Sequence, residues 1–353
     1  MPTEFDSELS DSLTLVTGGM GFIGSYLTAR LLALGGRVVV VDCDTDPGRQ
    51  SLLHELPQDQ RSGLEIVHLD LRDRDAVAAL IHGRNFDYVF HLAGYSVIEK
   101  STAFPYDSLM TNAIGGLNVF DAVRRSDTPP RRVVITSTDK VYGEMDGSHY
   151  LEDSPLRGIG IYDAGKLTAD VMARSHFHTF GTPMSVLRLC NVFGPHDYNV
   201  GYRLFPKSLS KIFNPVAPEP PVLYYESMDH WRDYVFVEDV IDALITMACH
   251  EQSLGEVFNM SSVVHLSTPS VIKEIIDTSV RILSEVDPYR AELVEKNGMQ
   301  VTTYGQGALA IQRQRLDHTK IAQRLGFRTS VTFEQGLERT ITHHTERLLR
   351  NGH

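Results

Sequence analysis

The chain has 353 residues, 42% apolar and 22% charged, with a formal net charge of −12. That length suits a nucleotide-binding domain with a smaller partner. The acidic balance argues against a nucleic-acid backbone or an anionic membrane as a general partner, but leaves room for a small anionic ligand held by local cations or a helix N-terminus.

Met1 to Asp11 is polar and acidic with no apolar stretch after it, so it does not read as a signal peptide. The longest aliphatic run, Val38 to Val41, is strand length and cannot span a bilayer. A cytoplasmic setting is therefore expected. Cys43, Cys190 and Cys249 are scattered, with no Cys-x-x-Cys pair, which supports neither a disulfide framework nor a zinc knuckle. There is no His-Glu-x-x-His, and His176, His178, His343 and His344 are expected at the surface, so no metal site is expected.

Leu13 to Thr17 reads as a short buried strand running into Gly18-Gly-Met-Gly-Phe-Ile-Gly24 and a helix over Ser25–Leu34. Arg37 to Val41 is a second buried strand ending at Asp42, and Leu64 to Leu69 a third ending at Asp70. Asp73 to Ile81 has the acidic first turn of a helix. Tyr88–Leu92 and Arg132–Thr136 are further strands, separated by a helix over Met110–Arg125 and the Pro129-Pro130 loop. A long helix over Tyr162–Phe180 and a strand over Met184–Leu189 follow. Strands of continuous β-branched residues alternating with amphipathic helices predict a parallel sheet covered on both faces, a doubly wound α/β fold.

Beyond Gly194 the alternation stops, and a proline-rich loop spans Asn214 to Pro221. Glu256 to Met260 reads as a strand that returns to the sheet. The expected division is a cofactor domain over 12–194 plus 233–262, and a smaller discontinuous α/β domain over 195–232 plus 263–345.

Gly18, Gly21 and Gly24 lie directly between a strand and a helix, with Asp42 at the end of the next strand. Missing side chains let a backbone approach a pyrophosphate, and a helix start offers unpaired N–H groups. A carboxylate at Asp42 would accept from both adenosine ribose hydroxyls and repel a 2′-phosphate, which favours NAD over NADP, with Arg49 softening the preference. Asp70 either contacts adenine or caps the next helix. Tyr162 and Lys166 are one helical turn apart. A free tyrosine is a poor base at neutral pH, and an ammonium nearby, with a positive nicotinamide ring, lowers its pKa.

Here the sequence resembles a known family. Thr17 to Gly24, His91-Leu-Ala-Gly94, Ser137-Thr-Asp-Lys-Val-Tyr-Gly143, Tyr162 with Lys166, Asn191-Val-Phe-Gly-Pro195, Arg232 to Asp239 and Gly255 to Asn259 are similar in order and spacing to the extended short-chain dehydrogenase/reductases. Its members are nucleotide-sugar epimerases, dehydratases and decarboxylases on a Rossmann sheet. The resemblance implies NAD held by Gly18, Gly21, Phe22, Ile23, Gly24, Asp42, Asp70, Leu71, Leu92, Ala93, Gly94, Tyr162 and Lys166. It implies Ser96, Thr138, Asn191, Arg203 and Arg232 on the side of a nucleotide-diphosphate sugar, the last three at its diphosphate. It also implies a homodimer through the 110–125 and 162–180 helices.

Two residues depart from the family pattern: Gly94 where alanine is usual, and Gly165 where serine is usual. Both changes are small for small and alter packing more than chemistry. The shared opening step has Tyr162 remove the O4 proton as hydride leaves C4. After Thr138 stands Asp139-Lys140, which resembles the pair of a CDP-glucose 4,6-dehydratase group, with Asp139 as acid and Lys140 as C5 base. Read structurally, the pair is a surface salt bridge or a phosphate contact. A 4-epimerase, a uronate decarboxylase and a non-catalytic NAD-binding sensor are the competing functions. Cys190 either touches the nicotinamide or is a plain buried thiol.

Overall fold

The computed structural model describes residues 6–144, 148–303 and 311–351, so part of the polar N-terminal stretch, Met1–Phe5, lies outside it. Seven strands form one sheet: β1 (Leu13–Thr17), β2 (Arg37–Asp42), β3 (Leu64–His68), β4 (Tyr88–His91), β5 (Arg132–Thr138), β6 (Met184–Leu189) and, out of sequence, β10 (Val257–Met260). Their order is β10-β6-β5-β4-β1-β2-β3, with every neighbouring pair parallel. The doubly wound α/β sheet expected from the alternation is present.

The aliphatic runs pack as a two-sided sheet requires. Val38 and Val40 of β2 join one buried cluster, and Val39 and Val41 the other. Likewise Val134 of β5 faces one side while Val133 and Ile135 face the opposite one. Continuous hydrophobicity thus reflects two covered faces with side chains alternating between them.

Three local expectations change. β3 is an edge strand, bonded only to β2, and Glu65, Ile66 and His68 are exposed. Arg84 holds Glu65 there, an edge-blunting charge pair. The single helix over Met110–Arg125 is instead Pro105–Leu109, a π-helical stretch Met110–Gly115, and Gly116–Arg124. The wide turn places Asn112 and Gly115 inward, both buried. His176 is buried, its ring edge-on to Phe120 and Phe180, because the 161–180 helix turns that face to the sheet.

A third buried cluster gathers Phe193, Phe205, Leu209, Tyr234, Phe236, Val271, Ile275, Phe333 and Ile341. It surrounds a three-stranded sheet in the order β11 (His265–Ser267), β9 (Trp231–Phe236), β7 (Asn191–Phe193). A small parallel pair, β8 (Val222–Tyr224) and β12 (Gln300–Thr302), lies apart. No helix among the described residues is long and apolar enough to cross a membrane.

Candidate active site

The order of the sheet reverses direction between β1 and β4, and ligands of doubly wound sheets bind in the crevice beyond such a switch. β1 ends at Thr17, and Gly18 turns the chain with a φ of +71. The helix Phe22–Ala33 then starts at Gly21 with no side-chain cap, so its first N–H groups are free. A Cβ on Gly18 would stand 2.7 Å from the Ala93 backbone, and one on Gly24 2.2 Å from the Gly18 carbonyl oxygen. Asp42 closes the side of this loop, accepting from the Met20 amide at 3.2 Å and from Arg49 Nη1 at 3.0 Å. A bare backbone, an uncapped helix start and a carboxylate ending the second strand fit an NAD pyrophosphate and ribose.

Asp70 is gripped by Arg72, which donates from Nη2 at 2.6 Å and from Nε, and this bonding holds the carboxyl below its ordinary range. The next helix is capped by Asp73, whose Oδ1 accepts from the Ala76 amide at 3.0 Å, so Asp70 is not the cap. Leu71 is buried, its carbonyl held by Asn118 at 2.8 Å.

A cavity of about 330 Å³ adjoins the loop. From the sheet side it is lined by Ile23, Leu92, Gly94, Ser96, Thr138, Asp139, Lys140, Tyr162 and Lys166, and from the other side by Cys190, Asn191 and Arg203. Arg232 is not among its lining residues. Its guanidinium donates to the carbonyls of Trp231 and Gln312 at 2.8 Å each, and to that of Ile311. Gly18, Gly21, Phe22, Gly24, Asp42, Asp70, Leu71 and Ala93 also lie outside the lining.

β5 runs two residues further than its apolar pattern suggested and delivers Thr138 at its end. The Thr138 hydroxyl accepts from the Lys140 amide at 3.3 Å, starting the turn Asp139–Tyr142, and donates to Asp139 Oδ1 at 3.1 Å. Asp139 is 3% exposed and its Oδ2 has no hydrogen-bond partner among the described residues, so its carboxyl does not belong to a surface salt bridge. Burial raises the Asp139 carboxyl, against the pull of Lys140 and Arg232. Burial also lowers the Lys140 amine, against the pull of Asp139. Each shift moves its group toward the neutral form.

The helix Ile161–Phe180 starts where Asp163 accepts from the Gly160 amide at 3.2 Å, and it carries Tyr162 and Lys166. Lys166 Nζ donates to the Thr136 carbonyl at 2.6 Å, and burial brings the amine down to about 8. Burial pushes the Tyr162 phenol up to about 12, while Arg203 and a hydrogen bond to Thr138 pull it back. Desolvation outweighs the lowering expected from a neighbouring cation at this phenol, and Arg203 is the cation that opposes it. His91, beneath Lys166, is neutral: burial takes it down to about 3, and its Nδ1 lies 2.8 Å from Thr17 Oγ1. Cys190 is a buried thiol, pushed up by desolvation. Asn191 donates to the Asp233 carbonyl at 3.1 Å, and Arg203 pairs with Asp197 at 3.2 Å.

The family model described as GDP-mannose 4,6 dehydratase matches residues 15–340 of this sequence. The chain belongs to that family of extended short-chain dehydrogenase/reductases. It is 30% identical to the dTDP-glucose 4,6-dehydratase of Neisseria meningitidis serogroup B, covering 93% of this chain and 91% of the relative. It is 29% identical to the UDP-glucose 4-epimerase of Mycolicibacterium smegmatis, covering 93% and 97%. Among solved structures, DesIV, a dTDP-glucose 4,6-dehydratase from Streptomyces venezuelae with NAD and TYD bound, aligns with a TM-score of 0.79 and 26% identity, covering 95% of this chain and 97% of that one. These relatives span nucleotide-sugar 4,6-dehydratases and 4-epimerases.

The two departures from the family pattern meet at one side chain. A Cβ on Gly94 would stand 2.8 Å from Asn112 Oδ1, and one on Gly165 2.9 Å from Asn112 Cβ. Asn112 is buried, accepts from the Tyr95 amide at 2.6 Å and donates to the Tyr95 carbonyl at 3.3 Å. It was not singled out from sequence, where the only signal is that both glycines depart from the pattern together. Gln314, which accepts from Lys140 Nζ at 3.0 Å, carried no sequence signal.

Proposed function

We propose that this protein is an NAD-dependent nucleotide-sugar 4,6-dehydratase, converting a nucleoside-diphosphate hexose into its 4-keto-6-deoxy derivative and water. The observation that carries the reading is the sequence neighbours Asp139, buried, and Lys140, half-buried, beside Thr138 and Tyr162 in one cavity. A 4-epimerase has no use for a second acid–base pair, because its ketone only turns over before reduction. An elimination requires one.

NAD, which the Gly18–Gly24 loop and Asp42 would hold, would supply the hydride acceptor for C4 and the hydride donor for C6, and its positive ring would favour the Tyr162 phenolate. Thr138 hydrogen-bonds the sugar O4 and Tyr162 accepts its proton. The C4 ketone acidifies C5. Lys140, whose amine desolvation shifts toward the neutral form, accepts the C5 proton as those electrons form the C5–C6 double bond. Asp139, whose carboxyl desolvation shifts toward the protonated form, gives its proton to O6 as the C6–O bond breaks and water leaves. Lys140 then hands its proton back to C5. The proton gained by Tyr162 equals the one Asp139 gives up, so product is substrate less one water. Lys166 orients the nicotinamide ribose, and Asn191, Arg203 and Arg232 serve the diphosphate.

The test is incubation of the NAD-loaded enzyme in deuterated water with CDP-, dTDP-, GDP- and UDP-hexoses, read by mass spectrometry. One of them should lose water, take solvent deuterium at C5 and carry label from C4 to C6. A product that keeps its C6 hydroxyl ends the reading and makes the protein an epimerase. Phe104, Tyr106, Ile114, Val171 and Phe180 lie exposed on or beside the 105–124 and 161–180 helices, and we assign that apolar face to a homodimer. A monomeric mass by sedimentation would remove that part.

A further inference from the structure

Gln314 is 1% exposed, and its Nε2 has no protein partner among the described residues. Burying an unpartnered amide is costly, and an apolar side chain would fill the same space without that cost. Its backbone is pinned on two sides. The Gln314 amide donates to the Trp231 carbonyl at 3.1 Å, and the Tyr150 amide donates to the neighbouring Arg315 carbonyl at 2.8 Å. Alternation along this extended segment turns Gln314 and Leu316 inward while Arg313 and Arg315 are exposed. The amide oxygen so fixed accepts from Lys140 Nζ at 3.0 Å.

We propose that Gln314 is a positioning residue for Lys140, its neutral amide oxygen fixing the direction of the amine without adding charge beside it. This rests on the reading of Lys140 as the C5 base. The charged groups acting on Lys140 are Asp139 next to it, Asp163 from the 161–180 helix, Glu99 from Ile98–Ala103, and Arg232 from β9, with His230 close by. Asp163, Glu99 and, whenever it is ionised, Asp139 favour the ammonium, and desolvation and Arg232 oppose them. A fourth carboxylate, in direct contact, would hold the proton on the amine. A glutamine gives the same geometry and leaves the lone pair available.

The experiment compares Gln314→Leu, Gln314→Glu and Lys140→Met in the NAD-loaded enzyme with the accepted nucleotide hexose. It measures C4 oxidation and C5 exchange with solvent deuterium separately, each against pH. Gln314→Leu should slow C5 exchange by about 10²-fold, the scale of a misplaced catalytic group, with C4 oxidation within a few-fold of wild type. Gln314→Glu, close in size and a safeguard if the leucine variant folds poorly, should move the acid limb of C5 exchange upward by about one pH unit or more. Equal slowing of both steps by the leucine change, or an unmoved acid limb in the glutamate variant, overturns the positioning role. Full C5 exchange in Lys140→Met overturns the base reading instead, which keeps the two failures apart.

Discussion

The two walls of the cavity are built differently. One rises from the ends of β1, β4 and β5 and from the 161–180 helix, and it presents Ile23, Leu92, Thr138, Asp139, Tyr162 and Lys166 from rigid elements packed on both faces of the sheet. The other is assembled from 190–206 and the strand at 231–236, where Arg203 is steadied by Asp197. On the proposed function the acid–base groups sit on the first wall and the arginine assigned to the diphosphate on the second. Groups that move protons need sub-ångström placement, whereas a diphosphate clamp tolerates adjustment.

The sharpest way to break this division is to cut one group from each wall. Tyr162→Phe should lower turnover by about 10²–10⁴-fold, the usual contribution of a positioned acid–base group, with NAD still bound. Arg203→Ala should instead raise KM and leave kcat within a few-fold, because it removes binding shared by ground and transition states. An Arg203→Ala enzyme that loses kcat as steeply as Tyr162→Phe, at unchanged KM, would show that the walls do not divide the labour.

Next in size is the foundation of the first wall. Arg188 of β6 and Asp170 of the 161–180 helix are both 0% exposed and paired at 2.9 Å. Arg188 also donates to the Tyr142 hydroxyl at 2.8 Å, which in turn donates to Asn259 at 2.7 Å. Arg188→Met strands a buried carboxylate and should cost about 3–5 kcal/mol in urea unfolding. Arg188→Met with Asp170→Leu should recover much of that loss, since a hydrophobic pair of similar volume replaces the ion pair. If the double variant is no more stable than the single one, the ion pair itself is what the wall requires.

The same contrast governs what the sequence revealed. The glycine loop, Asp42, the alternation of strands and helices and the Tyr162–Lys166 turn are local patterns: a strand, a turn and a helix of fixed period place them without knowledge of the rest of the chain. The failures are long-range. β3 reads as a buried strand because Ile66 and Val67 are apolar, but only its position at the sheet edge leaves Ile66 40% exposed. His176 looks like a surface histidine until the helix face it occupies is known. Gln314 lies 174 residues from Lys140, on an extended segment whose register depends on β9 and Tyr150. No spacing within the chain announces such a contact.

On the cofactor side the comparison can be sharpened at Asp42. The carboxylate holds Arg49 at 3.0 Å, so the cation that could meet a 2′-phosphate is neutralised by the group that would repel it. Asp42→Asn removes a charged hydrogen-bond acceptor from the ribose site and should weaken NAD by about 1.5–3 kcal/mol in a binding titration. The same change removes one of the two carboxylates paired with Arg49, Asp44 being the other, so NADP should weaken less or improve. Equal losses for both dinucleotides would place Asp42 outside the ribose contact.

The smallest effect tests why this chain departs from its family at Gly94. Gly94→Ala restores the usual residue, yet its methyl would come 2.8 Å from Asn112 Oδ1, which is already fixed by the Tyr95 amide. Overpacking of this kind costs about 1–3 kcal/mol, and the low end is expected because the carboxamide is the far end of a side chain. Asn112→Ala removes that oxygen and leaves the Tyr95 amide without its acceptor, so each single change should destabilise. In the double variant the clash has nothing to strike, and the two costs should fall short of additive by about 0.5 kcal/mol or more. Strict additivity would mean that Asn112 yields freely. Gly94 would then owe nothing to it, and the coupled departure at Gly165, whose Cβ would meet Asn112 at 2.9 Å, would need a separate cause.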